Sequence, residues 1–269
     1  MILFDISFIE IKLPFSSSPK APAQTVGRAA LLLRIIASSQ AQNLRLVDIA
    51  AMASLDKSTA HRLLHRLESE RLLARDPVRG YRLGPLLYEL GLAALPDTNL
   101  REISQMALHE LANSTGDMVF LVIRSGFESV CLSRIAGHFP IQTMTRTEGD
   151  RHPLGMGAGG LAILSAMHDA DINVAIDAIS PRLQAYQLTE EKLREAIDLT
   201  RARGGIAIDE GTAALDVCAI GRAVRDRAQT PVAAIFVASI RHRMLADRQE
   251  KVTKHLTVCV DAIERAMIR

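Results

Sequence analysis

Apolar residues recur at helical spacing through the first third of the chain, and polar or turn-forming stretches bound each recurrence. VGRAALLLRIIASS, from Val26, is periodic throughout, with Thr25 as a candidate N-cap. In LRLVDIAAMASL, Leu46, Ile49, Ala50 and Ala53 fall at i, i+3, i+4 and i+7, which predicts a short second helix. A third follows in DKSTAHRLLHRLESERLL, where Asp56 can cap and Ala60, Leu63, Leu64 and Leu67 repeat that spacing. With the stripe turned to a core, the opposite face presents Ser58, Thr59, His61, Arg62, His65 and Arg66, with Lys57 in the first turn. LLARDPVRGYRLG then holds two strand-like pieces around Asp76-Pro77 and Gly80, which predicts a hairpin. Three helices and a hairpin make a winged helix-turn-helix, whose last helix enters the major groove of double-stranded DNA.

PLLYELGLAAL reads as a linker helix with Leu86, Leu87, Leu90 and Leu95 on an apolar face that its own domain does little to cover. Beyond it, LREISQMALHELANSTG is a helix ending at Gly116, followed by the strand patterns MVFLVIRSG, ESVCLSRIAG and IQTMTRT. LAILSAM, DINVAIDAI and EEKLREAIDLTRARGG are helical in period, GIAIDEG, VCAIGRAV and PVAAIFVAS return to strand, and ADRQEKVTKHLTVCVDAIERAMI is a final helix. The expected division is an extension over 1–24, a winged helix-turn-helix over 25–84, a linker helix over 85–97 and an α+β sensor domain over 98–269.

Charge separates the two halves more sharply than the net of +2 indicates. Residues 25–84 carry ten Lys/Arg against five Asp/Glu, whereas 85–269 carry twenty against twenty-three. A basic small unit joined to a mildly acidic larger one points to a polyanion partner for the first alone. The three cysteines, Cys131, Cys218 and Cys259, form no CxxC pair, so neither a disulfide framework nor a zinc site is expected, and a reducing cytoplasm fits. No apolar run is long enough to cross a bilayer. The opening MILFDISFIEIKLPF, broken by Asp5 and Glu10, lacks the basic start of a signal peptide. It alternates like a short strand, and SSSPKAPA at 16–23 reads as a flexible linker.

GMGAGG at 155–160 satisfies GxGxxG, yet TEGDRHPL ahead of it is charged and holds Pro153, where a dinucleotide-binding loop needs an apolar strand. Two readings remain: a tight turn packing small residues on a sheet, or backbone N–H groups at a helix N-terminus that favour a carboxylate.

VGRAALLLRIIA, LRLVDIAAMASLDKSTAHRLLHRLESERLLAR and GYRLGPLLYELG together resemble the DNA-binding half and linker of IclR-type bacterial transcription regulators. LREISQMALHELANSTGDMVFLVI, RHPLGMGAGGLAIL and GIAIDEG with AIGRAV are similar to their effector-binding half. The resemblance implies a GAF/PAS-like effector domain with a curved antiparallel sheet, a homodimer or homotetramer, and no cofactor. It makes Lys57, Ser58, Thr59, His61 and Arg62 the operator-reading positions, with Arg66 on the same face. Arg28 and Arg45, near the starts of the first two helices, would clamp phosphates, and Arg79 and Tyr81 of the wing would touch backbone or minor groove. The implied effector pocket takes Met144, Gly157, Ala158, Gly159, Gly160, Asp209, Ala219, Phe236 and Ala238. Departures lie here: Gly155 stands where many members have His, Leu161 where they have Lys, and Phe236 and Ala238 where serines are common. The pocket is therefore expected to be less polar and to suit a small carboxylate with an apolar or aromatic body.

The rival reading is an enzyme with a cryptic active site fused to a DNA-binding module. No Ser/His/Asp or Cys/His order and no HExxH is legible, so no catalytic residue is assigned. A ligand-free architectural DNA-binding protein is a further rival, disfavoured by the length of the C-terminal domain.

Overall fold

The computed structural model describes residues 21–38, 44–76, 80–94, 99–212 and 214–268. The strand expected near the N-terminus, Arg79 and Leu95 lie outside them. The chain divides into two compact units between Asp97 and Thr98.

The first unit runs α1 (Ala21–Ser38), α2 (Leu46–Met52), α3 (Lys57–Ser69), β1 (Leu73–Asp76), β2 (Gly80–Leu83) and α4 (Pro85–Ala93). Ala60, Leu64 and Leu67 of the α3 stripe are buried and Leu63 is half-buried, packing with Leu32, Ile35 and Ile36 of α1 and Ile49 of α2. Asp56 caps α3, its Oδ1 accepting the Thr59 N–H at 2.8 Å. One expectation is corrected at α1: it begins at Ala21, so Thr25 lies within the helix and Arg28 falls well inside it. The hairpin forms as expected, with Leu73 opposite Leu83. Gly80 sits at φ +81°, and a Cβ there would lie 2.3 Å from the Leu44 carbonyl oxygen, so only glycine lets the wing close on the segment before α2.

The second unit runs α5 (Leu100–Thr115), β3 (Met118–Ser125), β4 (Glu128–Ile135), β5 (Arg151–Pro153), α6 (Gly157–Ser165), α7 (Asp169–Leu183), α8 (Glu190–Ala202), β6 (Ile206–Asp209), β7 (Val217–Arg225), β8 (Pro231–Ile240) and α9 (Ala246–Ile268). Its strands form one six-stranded antiparallel sheet in the order β5-β4-β3-β8-β7-β6. Alternate side chains feed two cores. Val119, Leu121, Ile220, Ile235 and Val237 meet α5 and α9 on one face, while Phe120, Val122, Ala219, Ala234 and Phe236 meet α6, α7 and α8 on the other. Both faces are covered, which is why PVAAIFVAS reads as a continuous apolar run.

IQTMTRT is not a strand; residues 141–147 run irregularly, and β5 forms later, at Arg151. The segment is inverted: its apolar Ile141 and Met144 are exposed, while Thr143 and Arg146 are buried.

Candidate functional sites

The open face of α3 carries Lys57, Ser58, His61, Arg62, His65 and Arg66, all exposed, with Thr59 half-buried beside its cap. The Ser58 hydroxyl donates to Asp56 at 2.6 Å, and the bonds from Ser58 and Thr59 hold the Asp56 carboxyl well below the usual range. Arg66 pairs with Glu70 at 2.6 Å, an exposed i,i+4 bridge that a phosphate can displace at little cost. The rings of His61 and His65 stack with centroids 6.4 Å apart. Arg45 is exposed at the N-cap of α2, where its own N–H donates to Asp48, and Arg28 is half-buried in α1.

Tyr81 is not a surface residue of the wing. It is 8% exposed and belongs to the first unit's core, its N–H bound to Leu44 O at 3.1 Å. Alternation along β2 sends Tyr81 inward and Arg82 outward, so the described wing offers exposed Arg82 and Arg75, which sequence reasoning passed over. The Arg75 guanidinium stands 5.8 Å from the Tyr81 ring. Period-two alternation already pointed outward at residue 82.

In the second unit, the first turn of α6, the sheet and the loop before β5 enclose a small cavity of about 20 Å³. Gly157, Ala158, Gly159, Asp209, Ala219 and Phe236 line it, as expected. Gly160, Ala238 and Met144 do not: Gly160 is turned toward Gly155 and Pro153, Ala238 is buried against the core beside Ala219, and Met144 is 65% exposed. Thr145, Arg146, His152, Met156 and Val217 line it instead.

Close packing accounts for part of the glycine run. A Cβ on Gly159 would stand 2.8 Å from the Phe236 ring and 3.0 Å from Val122, and one on Gly221 would stand 2.7 Å from Ala158 O. Helix α6 thus rides directly on β7 and β8. Gly155 sits at φ +86°, a conformation that strains any side chain placed there, and a Cβ would stand 2.6 Å from Leu193 Cδ1. No side chain caps α6, and Gly157, Ala158 and Gly159 of its first turn line the cavity.

Among the residues lining the cavity, Arg146 is a cation and Asp209 an acid, and an arginine–glutamate cluster lies next to Ser129. Glu128 accepts from Arg151 and from Arg182, each at 2.8 Å; burial raises its pKa, but the Arg182 and Arg151 bonds outweigh that and hold it low. Arg146, 5% exposed, has no such partner among the described residues: its Nη1 and Nη2 both donate to Ser129 Oγ at 3.1 Å. Ser129 donates onward to His152 O at 3.4 Å. Burial, with Arg146 and Arg182 nearby, pushes His152 down to about 3, and its Nδ1 is buried without a hydrogen-bond partner. Asp209, at the end of β6, accepts from Thr212 N–H at 3.1 Å. Among the described residues no three His, Cys, Asp or Glu side chains gather as metal ligands, and no helix is long and apolar enough to cross a membrane.

A family model described as the IclR helix-turn-helix domain matches residues 25–77, and one described as the bacterial transcriptional regulator IclR C-terminal matches 92–265. The glycerol operon regulatory protein of Streptomyces griseus is 30% identical over 226 residues, 83% of this chain and 87% of that protein. The HTH-type transcriptional regulator XynR of Escherichia coli is 28% identical over 82% of this chain and 88% of its own. Among solved structures, a putative IclR transcriptional regulator from Silicibacter superposes with a TM-score of 0.77 at 22% identity, covering 90% of this chain and 96% of that one. An IclR homolog from Microbacterium hydrocarbonoxydans, complexed with 4-hydroxybenzoate, gives 0.66 at 21%, covering 88% and 98%.

Proposed function

The chain belongs to the IclR family of bacterial transcription regulators, and from that premise we propose that its second unit senses a small organic acid with an apolar or aromatic body. The relatives are named as regulators, not as enzymes, and the helix-turn-helix makes DNA the partner. The reading is carried by the cavity itself, which sets apolar Phe236, Met156, Val217 and Ala219 against the uncapped first turn of α6. As it stands the cavity has room for little more than a water, so a ligand of a single ring or a short chain enters only as the wall opens. The neighbour holding 4-hydroxybenzoate supports the same class of ligand. We place the protein in the cytoplasm, where its operator is.

The α3 face reads the operator, with Arg62 and Lys57 foremost and Arg45 on phosphates. The test is fluorescence anisotropy of full-length protein on DNA from its own promoter region, with and without benzoate, phenylacetate or 4-hydroxybenzoate. Val217→Phe serves as the plug: Val217 is half-buried on the cavity wall, whereas Ala158 already meets β7. The plugged variant should bind DNA as before and lose the response to acid. A full response in Val217→Phe would place the sensor elsewhere.

A further inference from the structure

We propose that Arg146 is the anion anchor of this cavity, so that the effector enters as a carboxylate that pairs with its guanidinium. This rests on the reading of the cavity as the effector site, but it names a different seat for the charge than the amides of α6.

Three arginines, Arg146, Arg151 and Arg182, border this end of the unit, and the half-buried acid among them, Glu128, is consumed by two. Arg146 is left with one neutral hydroxyl shared by two of its nitrogens. Asp150 acts on it through its charge but forms no ion pair with it among the described residues. A guanidinium that deep is costly unless a counter-ion arrives. The cavity wall that Arg146 helps to form also carries His152 and the first turn of α6. The unpartnered His152 Nδ1 offers a further hydrogen bond, and the glycines of α6 offer amides. A planar carboxylate matches this set, because a guanidinium presents paired donors in the same plane. The chain's inverted segment follows from the same need: Arg146 turns inward where the apolar Met144 turns out.

Asp209 lines the same cavity. An acid ligand there avoids repulsion by directing its charge to Arg146 and presenting a hydroxyl or other donor to Asp209. The class that fits is therefore a small monocarboxylate with an apolar body, favoured further by a hydroxyl away from the acid group.

The experiment is calorimetry on full-length protein with benzoate, 4-hydroxybenzoate and phenylacetate, each paired with its uncharged amide. The variants are Arg146→Met, Arg146→Lys and Val217→Phe. At least one acid should bind the parent tightly and its amide roughly 10- to 100-fold more weakly. Arg146→Met should lose that same factor for the acid while binding the amide unchanged, and Arg146→Lys should fall between. Without ligand, Arg146→Met should melt at least ~2 °C higher than the parent, because an uncompensated buried charge is gone; a merely structural arginine would melt lower. Acid binding that survives Arg146→Met but is lost in Val217→Phe overturns the anchor and leaves the cavity as the site. Acid binding that survives Val217→Phe overturns the cavity as well. Amides that bind as tightly as acids, or a parent that binds none of the acids at millimolar concentration, overturn the anchor.

Discussion

Arg62 stands on the open face of α3 with no ion pair among the described residues, whereas Arg66, one turn on, is bridged to Glu70. The two should behave differently on DNA. Arg62→Ala should cost roughly 1 to 3 kcal/mol on a specific operator and relax base preference, as loss of a bidentate base contact does. Arg66→Ala should weaken all sequences alike and lower the salt slope by about one. Anisotropy titrations over a range of salt, on specific and scrambled DNA, separate these outcomes. In the second unit, His152 makes folding sensitive to acid. Burial holds its folded pKa near 3, below the unfolded 6.5, so between those values the unfolded chain binds a proton that the folded one refuses. Stability therefore falls as pH drops through that window, by at most about 1.4 kcal/mol per pH unit. His152→Gln should lose about 2 kcal/mol less than the parent between pH 7 and 4.5, measured by urea unfolding. The cysteines are quieter: burial pushes Cys131 and Cys218 to about 11 and Cys259 to about 12, so thiol reagents should label the native protein slowly and the unfolded one fast.

Two helical glycines should respond in opposite ways to alanine, because what surrounds them differs. Gly91 of α4 has nothing within 4 Å of an added Cβ, and Gly91→Ala should stabilise by about 0.4 to 1 kcal/mol. Gly159 of α6 is wedged between Phe236 and Val122, and Gly159→Ala should destabilise by roughly 1 to 3 kcal/mol. Thermal unfolding of each variant checks the signs. The periodic elements were the legible ones: the α3 stripe with its Asp56 cap and the αL glycine ending α5 appear where pattern and cap chemistry put them. The cavity was legible in Gly157, Ala158, Gly159, Asp209, Ala219 and Phe236, but not in its basic members. Arg146 and His152 escaped because an inward-turned residue beside an irregular loop has no period, and Arg146 is held by Ser129 of β4, distant in sequence. The supposed strand at 141–147 failed for the same reason: alternation was present, but tertiary packing placed the polar side inward. Tyr81 misled in the other direction, since an aromatic on a wing reads as a DNA contact until the closing of β2 on Leu44 shows it as core.

At the scale of the whole molecule, the separation of charge and the surface of α4 bear on how the protein holds DNA. One α3 helix spans only a short half-site, and the basic first unit alone gives affinity that salt removes quickly. Helix α4 buries none of its residues, although Glu89, paired to Arg71 at 2.7 Å, is its only charged side chain. Tyr88 is 72% exposed, Leu90 51% and Leu92 53%, an apolar patch that the first unit does not cover. A second copy would cover it and bring a second α3 to the neighbouring half-site, as two-fold symmetry requires. Light scattering at concentrations that bind DNA should therefore give a dimer or tetramer. Leu90→Asp with Leu92→Lys should shift that equilibrium to monomer without unfolding the chain, since neither side chain is buried. The joined pair gains from effective concentration, so the double variant should lose roughly 10²- to 10⁴-fold on a two-half-site operator and almost nothing on an isolated half-site. Equal losses on both DNAs, or an unchanged assembly, would mean that α4 is not the joining surface and that affinity resides in each first unit alone.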